Sequence, residues 1–213
     1  MLSKWIQYYN ERYLKWVLWL CVTIAWVGIL LESTSQGKLE WGEMVGETGE
    51  LTWYLLMFTV FISLLHKLFP TLWIFNNVVP LRKHTGILAW VIALTHGGSE
   101  MINRGIAADA NAIYNTALSL EDGMVFGAIS FLIMLPLFLT STDFAVQKMG
   151  YKWWKRLHKL THAAFIFAAV HILVLKYQQE GELFLKTTGA LTFYFVGYAV
   201  VFWRGMKKKS GDV

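Results

Sequence analysis

Residues 81–103 read LRKHTGILAWVIALTHGGSEMIN, and this stretch decides the class of fold. It opens on basic residues and continues through a mostly apolar run, about as long as a helix needs to cross a bilayer. Two histidines, His84 and His96, lie within it, although an ionisable side chain is costly to place in lipid. The stretch therefore predicts a membrane helix whose histidines have a functional role.

The whole chain has the composition of an integral membrane protein. Its 213 residues are 56% hydrophobic and only 15% charged, which is far from the balance of a soluble domain. Apolar segments recur along the sequence, and a helix can cross lipid because it pairs its own backbone groups. The predicted transmembrane helices cover about residues 16–31, 51–66, 85–103, 123–140, 158–175 and 187–203. We expect an all-α bundle of six transmembrane helices that forms a single domain over residues 1–213.

Basic residues are concentrated on alternate connections of this predicted bundle. Most of the 19 Lys and Arg residues lie before the first segment, between the second and third, between the fourth and fifth, or after the sixth. Since basic loops stay in the cytoplasm, both termini are expected to be cytoplasmic, in a multi-pass protein of the cell inner membrane. The net charge of +5 then follows from topology. We expect the protein to lie in a lipid membrane and not to bind nucleic acid.

The histidines indicate a cofactor. Five of the six lie on or at the ends of the third and fifth predicted helices, at His84, His96, His158, His162 and His171. Alternate spans run in the same direction, so His84 lies at the level of His158 near the cytoplasm, and His96 at the level of His171 near the outer surface. Haem iron suits such a set, because neutral imidazole ligates it and the macrocycle is apolar. We therefore predict haem b, one or two molecules, with iron ligands His84, His96, His158 and His171.

Alternatives stay open at the inner level. Steps of 12 residues, from His84 to His96, and of 13, from His158 to His171, rotate a side chain by about 120° and 220° on an ideal helix. Neither pair therefore lies on a single helix stripe, and this weakens the assignment of His84 as a ligand most. His162 lies one turn beyond His158 and is either an alternative inner ligand or a hydrogen-bonding neighbour. Arg82 and Arg156 can pair with haem propionates or with an anionic flavin such as FMN, but we favour topology alone as the reason for their charge.

Other redox chemistry is excluded by the residues present. Cys21 is the single cysteine, so the chain provides neither an intrachain disulfide nor the thiolates of an iron–sulfur cluster. It also has no Gly-rich dinucleotide fingerprint following a strand, which argues against NAD(P)H binding in the usual way. A carrier of this kind needs a separate donor and a separate acceptor.

The histidine motifs resemble those of the ferric reductase-like transmembrane domain. Within that superfamily the chain is most similar to the MsrQ or YedZ family, the haem-binding subunits of methionine sulfoxide reductase systems. The stretches that carry the resemblance are Leu81–Gly86, Leu94–His96, Leu139–Thr142, Lys148–Gly150, Trp154, Leu157–His158 and Val170–His171. The resemblance implies that His96 and His171 ligate an outer haem and that His158 ligates an inner one. His84 is a departure, since some members have an apolar residue there.

These observations predict a transmembrane b-type cytochrome, an electron-transfer subunit rather than a complete enzyme. It would pass electrons from a cytoplasmic-side donor, a flavin reductase supplying reduced flavin or a quinol, through two bis-His haems to a periplasmic acceptor. The resemblance implies that this acceptor is a molybdenum-dependent reductase of oxidised methionine residues. The rival predictions are a stand-alone ferric or quinone reductase, and a non-redox membrane subunit whose histidines bind protons or a transition metal.

Overall fold

The computed structural model describes residues 2–35, 38–120, 123–176 and 181–210, and it is built almost entirely of helices. The helices are α1 (Leu2–Glu32), α2 (Trp41–Leu68), α3 (Trp73–Val78), α4 (Leu81–Asn103), α5 (Ala110–Ala117), α6 (Met124–Leu139), α7 (Asp143–Met149), α8 (Tyr151–Leu157), α9 (Thr161–Lys176) and α10 (Glu182–Ser210). A short antiparallel pairing of β1 (Thr34–Ser35) with β2 (Lys38–Leu39) joins α1 to α2. A single 3₁₀ turn, His158–Leu160, joins α8 to α9.

Several of these helices can cross a membrane. Four stretches are long and apolar enough, Tyr13–Glu32, Trp41–Leu68, Tyr151–Leu175 and Glu182–Lys207, and α6 with α7 makes a fifth if that pair, bent by 87°, is one span. Among the described helices, α4 has 23 residues but falls outside this set. Its polar run from His96 to Glu100 lowers its mean hydropathy. The chain is a multi-pass membrane protein, and six spans with cytoplasmic termini stay a prediction.

The core of the bundle lies between α2, α4, α6, α9 and α10. Trp53 on α2 is 1% exposed and stacks on the fully buried Phe165 of α9, with ring centroids 5.0 Å apart and planes 9° from parallel. Thr59 and Thr85 join α2 to α4 by a buried hydrogen bond of 2.7 Å. Ser130 on α6 donates to the carbonyl of Ala164 on α9 at 2.9 Å. By contrast α1 is peripheral, and its outward apolar side chains suit contact with lipid.

Contacts between helix ends show that α4 and α9 run in the same direction. Lys83 at the start of α4 pairs with Asp143, just after the end of α6, at 2.7 Å. His158, just before α9, lies 3.3 Å from the hydroxyl of Thr140, also at the end of α6. The two helices therefore begin near the same end of the bundle and carry their later histidines towards the opposite end.

Local signals mark the start of α6 and of the short helices on either side of it. Gly123 precedes the helix with a φ of +67°, a left-handed conformation that favours glycine. At the other end, Thr142 accepts from the backbone N–H of Ala145 at 3.2 Å and begins α7. Before α6, the Asp109 side chain caps α5 by accepting from the N–H groups of Asn111 and Ala112. The sequence analysis did not predict either short helix.

Candidate functional site

Two histidines from different helices face each other in the half of the bundle where α4 and α9 end. The ring centroids of His96 on α4 and His171 on α9 are 6.4 Å apart, and the ring planes are inclined by 74°. A bond between a metal ion and an imidazole nitrogen is about 2 Å long, so two imidazoles on opposite sides of one ion have centroids roughly 6 Å apart. The observed separation of the ring centroids therefore fits two imidazoles that would hold one metal ion between them.

Backbone carbonyls fix the proton on each of these rings. The Nδ1 atom of His96 lies 2.9 Å from the carbonyl oxygen of Val45 on α2, and Nδ1 of His171 lies 3.0 Å from that of Gly123. A carbonyl oxygen only accepts, so Nδ1 carries the proton in both rings and donates it. Each Nε2 therefore keeps its lone pair, which is the tautomer that a metal-binding histidine needs.

The two rings line a cavity of about 560 Å³, a volume within the range of about 300–1,000 Å³ that small-molecule and cofactor sites occupy. Its wall is mainly apolar and comes from α2, α4, α6 and α9, each of which contributes residues three or four positions apart. On α2 these residues include Val45, Gly49, Trp53 and Leu56. Such spacing is one helix face, so all four helices turn a face towards the same space.

Glycines make room along this wall. Gly46, Gly97 and Gly98 line the cavity, and a Cβ added to any of them would meet nothing within 4 Å. The wall is therefore smooth where side chains would otherwise project, which suits a flat macrocycle. Ile113 and Ala117 of α5 line the same cavity from the connection between α4 and α6.

The donor set distinguishes haem from a bare metal ion. Among the residues that the structure describes, no group of three or more His, Cys, Asp or Glu side chains is placed to hold a metal ion. Structural and catalytic sites for a bare ion such as zinc use three or four protein ligands. Haem needs only axial ligands from the protein, because its macrocycle supplies the other nitrogens. Two imidazoles in an apolar cavity thus fit haem.

The structure gives the inner histidines different neighbours. Nδ1 of His84, in the first turn of α4, accepts from the indole N–H of Trp19 on α1 at 3.3 Å. His158 packs on Trp154, with ring centroids 4.2 Å apart, and its Nε2 lies 3.3 Å from the hydroxyl of Thr140. Among the described residues, His84 and His158 share no contact like the one between the rings of His96 and His171. Their role as haem ligands stays a prediction.

His162 and the two arginines complete the inner set of predicted residues. Nε2 of His162 lies 3.4 Å from the phenol oxygen of Tyr198 on α10, so it has a hydrogen-bonding neighbour of its own. Arg82 is half-buried, and its Nε has no hydrogen-bond partner among the described residues. Arg156 is exposed and lies over the ring of Trp153, 4.9 Å from its centroid. Binding of FMN or of propionates by these arginines stays a prediction.

Sequence reasoning missed the residues that orient the outer pair. Val45 and Gly123 act through their backbone carbonyls, which every residue type has. Their role could therefore not be recognised from the residue types. Gly49 and Gly127 lie against the two imidazoles, and the Gly123–Gly127 spacing of four was a visible but unspecific sign of close packing. Gly97 and Gly98 line the cavity, whereas Gly86 does not.

Comparison with known proteins assigns the chain to a family. The pattern of the ferric reductase like transmembrane component family matches residues 48–170, which is more than half of the chain and contains the start of α9 and all of α4. The chain belongs to the ferric reductase-like transmembrane family. The family predicted from the histidine motifs is confirmed.

Individual relatives of this ferric reductase-like chain include MsrQ proteins. The protein-methionine-sulfoxide reductase heme-binding subunit MsrQ of Brucella ovis is 27% identical over 176 residues, 75% of this chain and 71% of the relative. MsrQ of Brucella anthropi is 31% identical over 94 residues, 44% of this chain and 41% of the relative. The magnetosome protein MamZ of Magnetospirillum gryphiswaldense is 30% identical over 82 residues, 38% of this chain but only 12% of that protein. No solved structure is significantly similar.

Proposed function

We propose that the protein is a haem-binding electron-transfer subunit of the membrane, in which His96 and His171 would hold one haem b. The observation that carries the proposal is the pair of imidazoles, 6.4 Å apart, whose Nδ1 atoms both donate to backbone carbonyls. When bound, haem supplies reversible one-electron transfer between ferric and ferrous iron. The name of the MsrQ relatives, heme-binding subunit, supports the same cofactor.

The protein's own residues would hold this group and control its surroundings. The carbonyls of Val45 and Gly123 keep the Nε2 lone pairs available and limit rotation of the rings. Trp53 and neighbouring apolar side chains line the cavity and would keep water away from a bound haem, which is one way in which a protein sets a haem's potential. Glu50 and Glu100 are the carboxylates in the lining, and Glu100 is paired with Arg104.

The direction of transfer is part of the proposal. We infer a donor on the side where α4 and α9 begin, which is rich in Lys and Arg and so is assigned to the cytoplasm. The donor would be a quinol or a flavin reduced by a cytoplasmic reductase. On that side His84 and His158 would hold a second haem, or Arg82 and Arg156 would hold an FMN. The acceptor would be a periplasmic methionine sulfoxide reductase, because the relatives are subunits of such systems by name.

Reconstitution tests the proposal. The purified chain is placed in liposomes with a reduced quinol, and a methionine sulfoxide reductase catalytic subunit is added outside together with methionine sulfoxide. We expect methionine to form with the parent and with His66→Ala, but not with His171→Ala. His66 is the matched control, since it is a histidine at the far end of α2 from this site.

The outcomes separate the rival functions. If the chain reduces ferric citrate without any partner, and does so faster than the added catalytic subunit reduces methionine sulfoxide, a stand-alone reductase is favoured. A parent that purifies without colour and transfers no electrons would contradict the proposal and favour a non-redox subunit.

A further inference from the structure

Gly49 on α2 and Gly127 on α6 occupy equivalent places beside the two facing imidazoles. A Cβ on Gly49 would lie 3.0 Å from Cε1 and 3.1 Å from Nδ1 of His96. A Cβ on Gly127 would lie 3.1 Å from both Cε1 and Nδ1 of His171. Both separations are shorter than an ordinary van der Waals contact, so a Cβ at either place would require the ring to move by a few tenths of an ångström.

The helix backbone does not itself require glycine at either place. Neither residue has a positive φ, and glycine weakens a helix interior relative to alanine. Both glycines come four residues after the residue whose carbonyl accepts the imidazole proton, namely Val45 and Gly123. Residues four apart lie on the same helix face, so the missing side chain is the one that would otherwise cover the accepting carbonyl.

The site is therefore built from two similar halves. In one half α2 presents a carbonyl and a glycine to His96 on α4, and in the other the start of α6 presents the same two features to His171 on α9. The acceptor and the glycine come from one helix and the histidine from its packing partner. The spacing of four is the same in both.

We propose that Gly49 and Gly127 are positioning residues that let each imidazole reach its carbonyl and so set the rotation of both rings about the cavity. The inference rests on the proposed role of His96 and His171 as haem ligands. A methyl group at either glycine would push the ring away from the carbonyl, lengthen the Nδ1–H···O bond and turn the ring plane. Ring orientation and that hydrogen bond both tune ligated iron.

The test compares Gly49→Ala and Gly127→Ala with Gly42→Ala and Gly86→Ala in the full chain. At Gly42 a Cβ meets only the Asn103 side chain at 3.8 Å, and at Gly86 it meets nothing within 4 Å. The readouts are the g-values of the low-spin ferric haem by electron paramagnetic resonance and the rate of haem transfer to apomyoglobin. Helix content and thermal unfolding of each variant are measured alongside.

We expect both positioning variants to bind haem with shifted g-values and to lose it about 10- to 100-fold faster, the range seen when an outer-shell partner of a metal ligand is removed. Both controls should match the parent. Unchanged g-values and transfer rates in folded Gly49→Ala and Gly127→Ala proteins would overturn the inference while leaving haem ligation intact. A parent that binds no haem would overturn the proposed function and this inference with it.

Discussion

Replacing Phe165 with alanine should destabilise the bundle by an amount that the structure allows us to estimate. The side chain is fully buried, stacks on Trp53 at 5.0 Å, and contacts Phe61 and Tyr194 with centroids 5.9 and 5.3 Å away. In a membrane the unfolded reference is also apolar, so the transfer contribution to core burial largely disappears and packing remains. The cost should therefore be lower than for the same change in a soluble protein.

The magnitude follows from the space that is emptied. Phe165→Ala removes roughly 100 Å³, which at about 24 cal/mol per Å³ of cavity corresponds to about 2.4 kcal/mol. Lost ring contacts add about 0.5–1.5 kcal/mol. We expect the free energy of unfolding to fall by about 3–4 kcal/mol. Phe195 on the same bundle is 56% exposed, so Phe195→Ala should change it by less than about 0.5 kcal/mol.

The assay is reversible unfolding in mixed micelles, with the SDS fraction raised stepwise and tryptophan fluorescence as the signal. Because Trp53 also lines the cavity, Phe165→Ala should in addition broaden the absorption of the bound haem. A loss below about 1 kcal/mol, or equal losses for Phe165→Ala and Phe195→Ala, would refute the assignment of Phe165 to the packed core.

Two further predictions concern the helix contacts around this core. A double-mutant cycle of Thr59→Val and Thr85→Val should give a coupling of about 0.6 kcal/mol in the same unfolding assay, the average for interhelical hydrogen bonds in a membrane protein; a coupling near zero would show that the hydroxyls do not stabilise one another. Gly197→Ala should lower the free energy of unfolding by about 1–3 kcal/mol, since a Cβ there would lie 2.7 Å from the buried Leu64, whereas Gly189→Ala meets nothing within 4 Å and should be neutral. Equal effects of the two glycine changes would contradict this packing.

Much of the architecture could be predicted because the bilayer imposes length and polarity on the sequence. Apolar runs of about 20 residues indicated where long helices lie. The same argument did not predict α5 or α7, since a helix of seven or eight residues in a connection is set by caps such as Asp109 and by packing. Hydropathy is a weak indicator for α4, because His96 and Glu100, which line the cavity, lower its mean value, and a span over α4 stays a prediction.

The outer site was easier to anticipate than the inner one. Parallel helices with histidines at similar depth predicted that His96 and His171 lie at one level, and the structure brings their rings 6.4 Å apart. Depth alone did not fix rotation about the helix axis, which is why His84 turns to Trp19 on α1 and His158 to Trp154. Rotation depends on which neighbour each helix face packs against, and that information is distributed over the whole chain.

Haem stoichiometry of the purified protein tests whether His96 and His171 together ligate one haem b. Pyridine haemochrome is measured on the parent, His96→Ala, His171→Ala and His66→Ala, together with the low-spin Soret spectrum. We expect either ligand variant to lack the same single haem and His66→Ala to retain the parent content. A parent without haem, or ligand variants that keep the parent stoichiometry and low-spin spectrum, would contradict it.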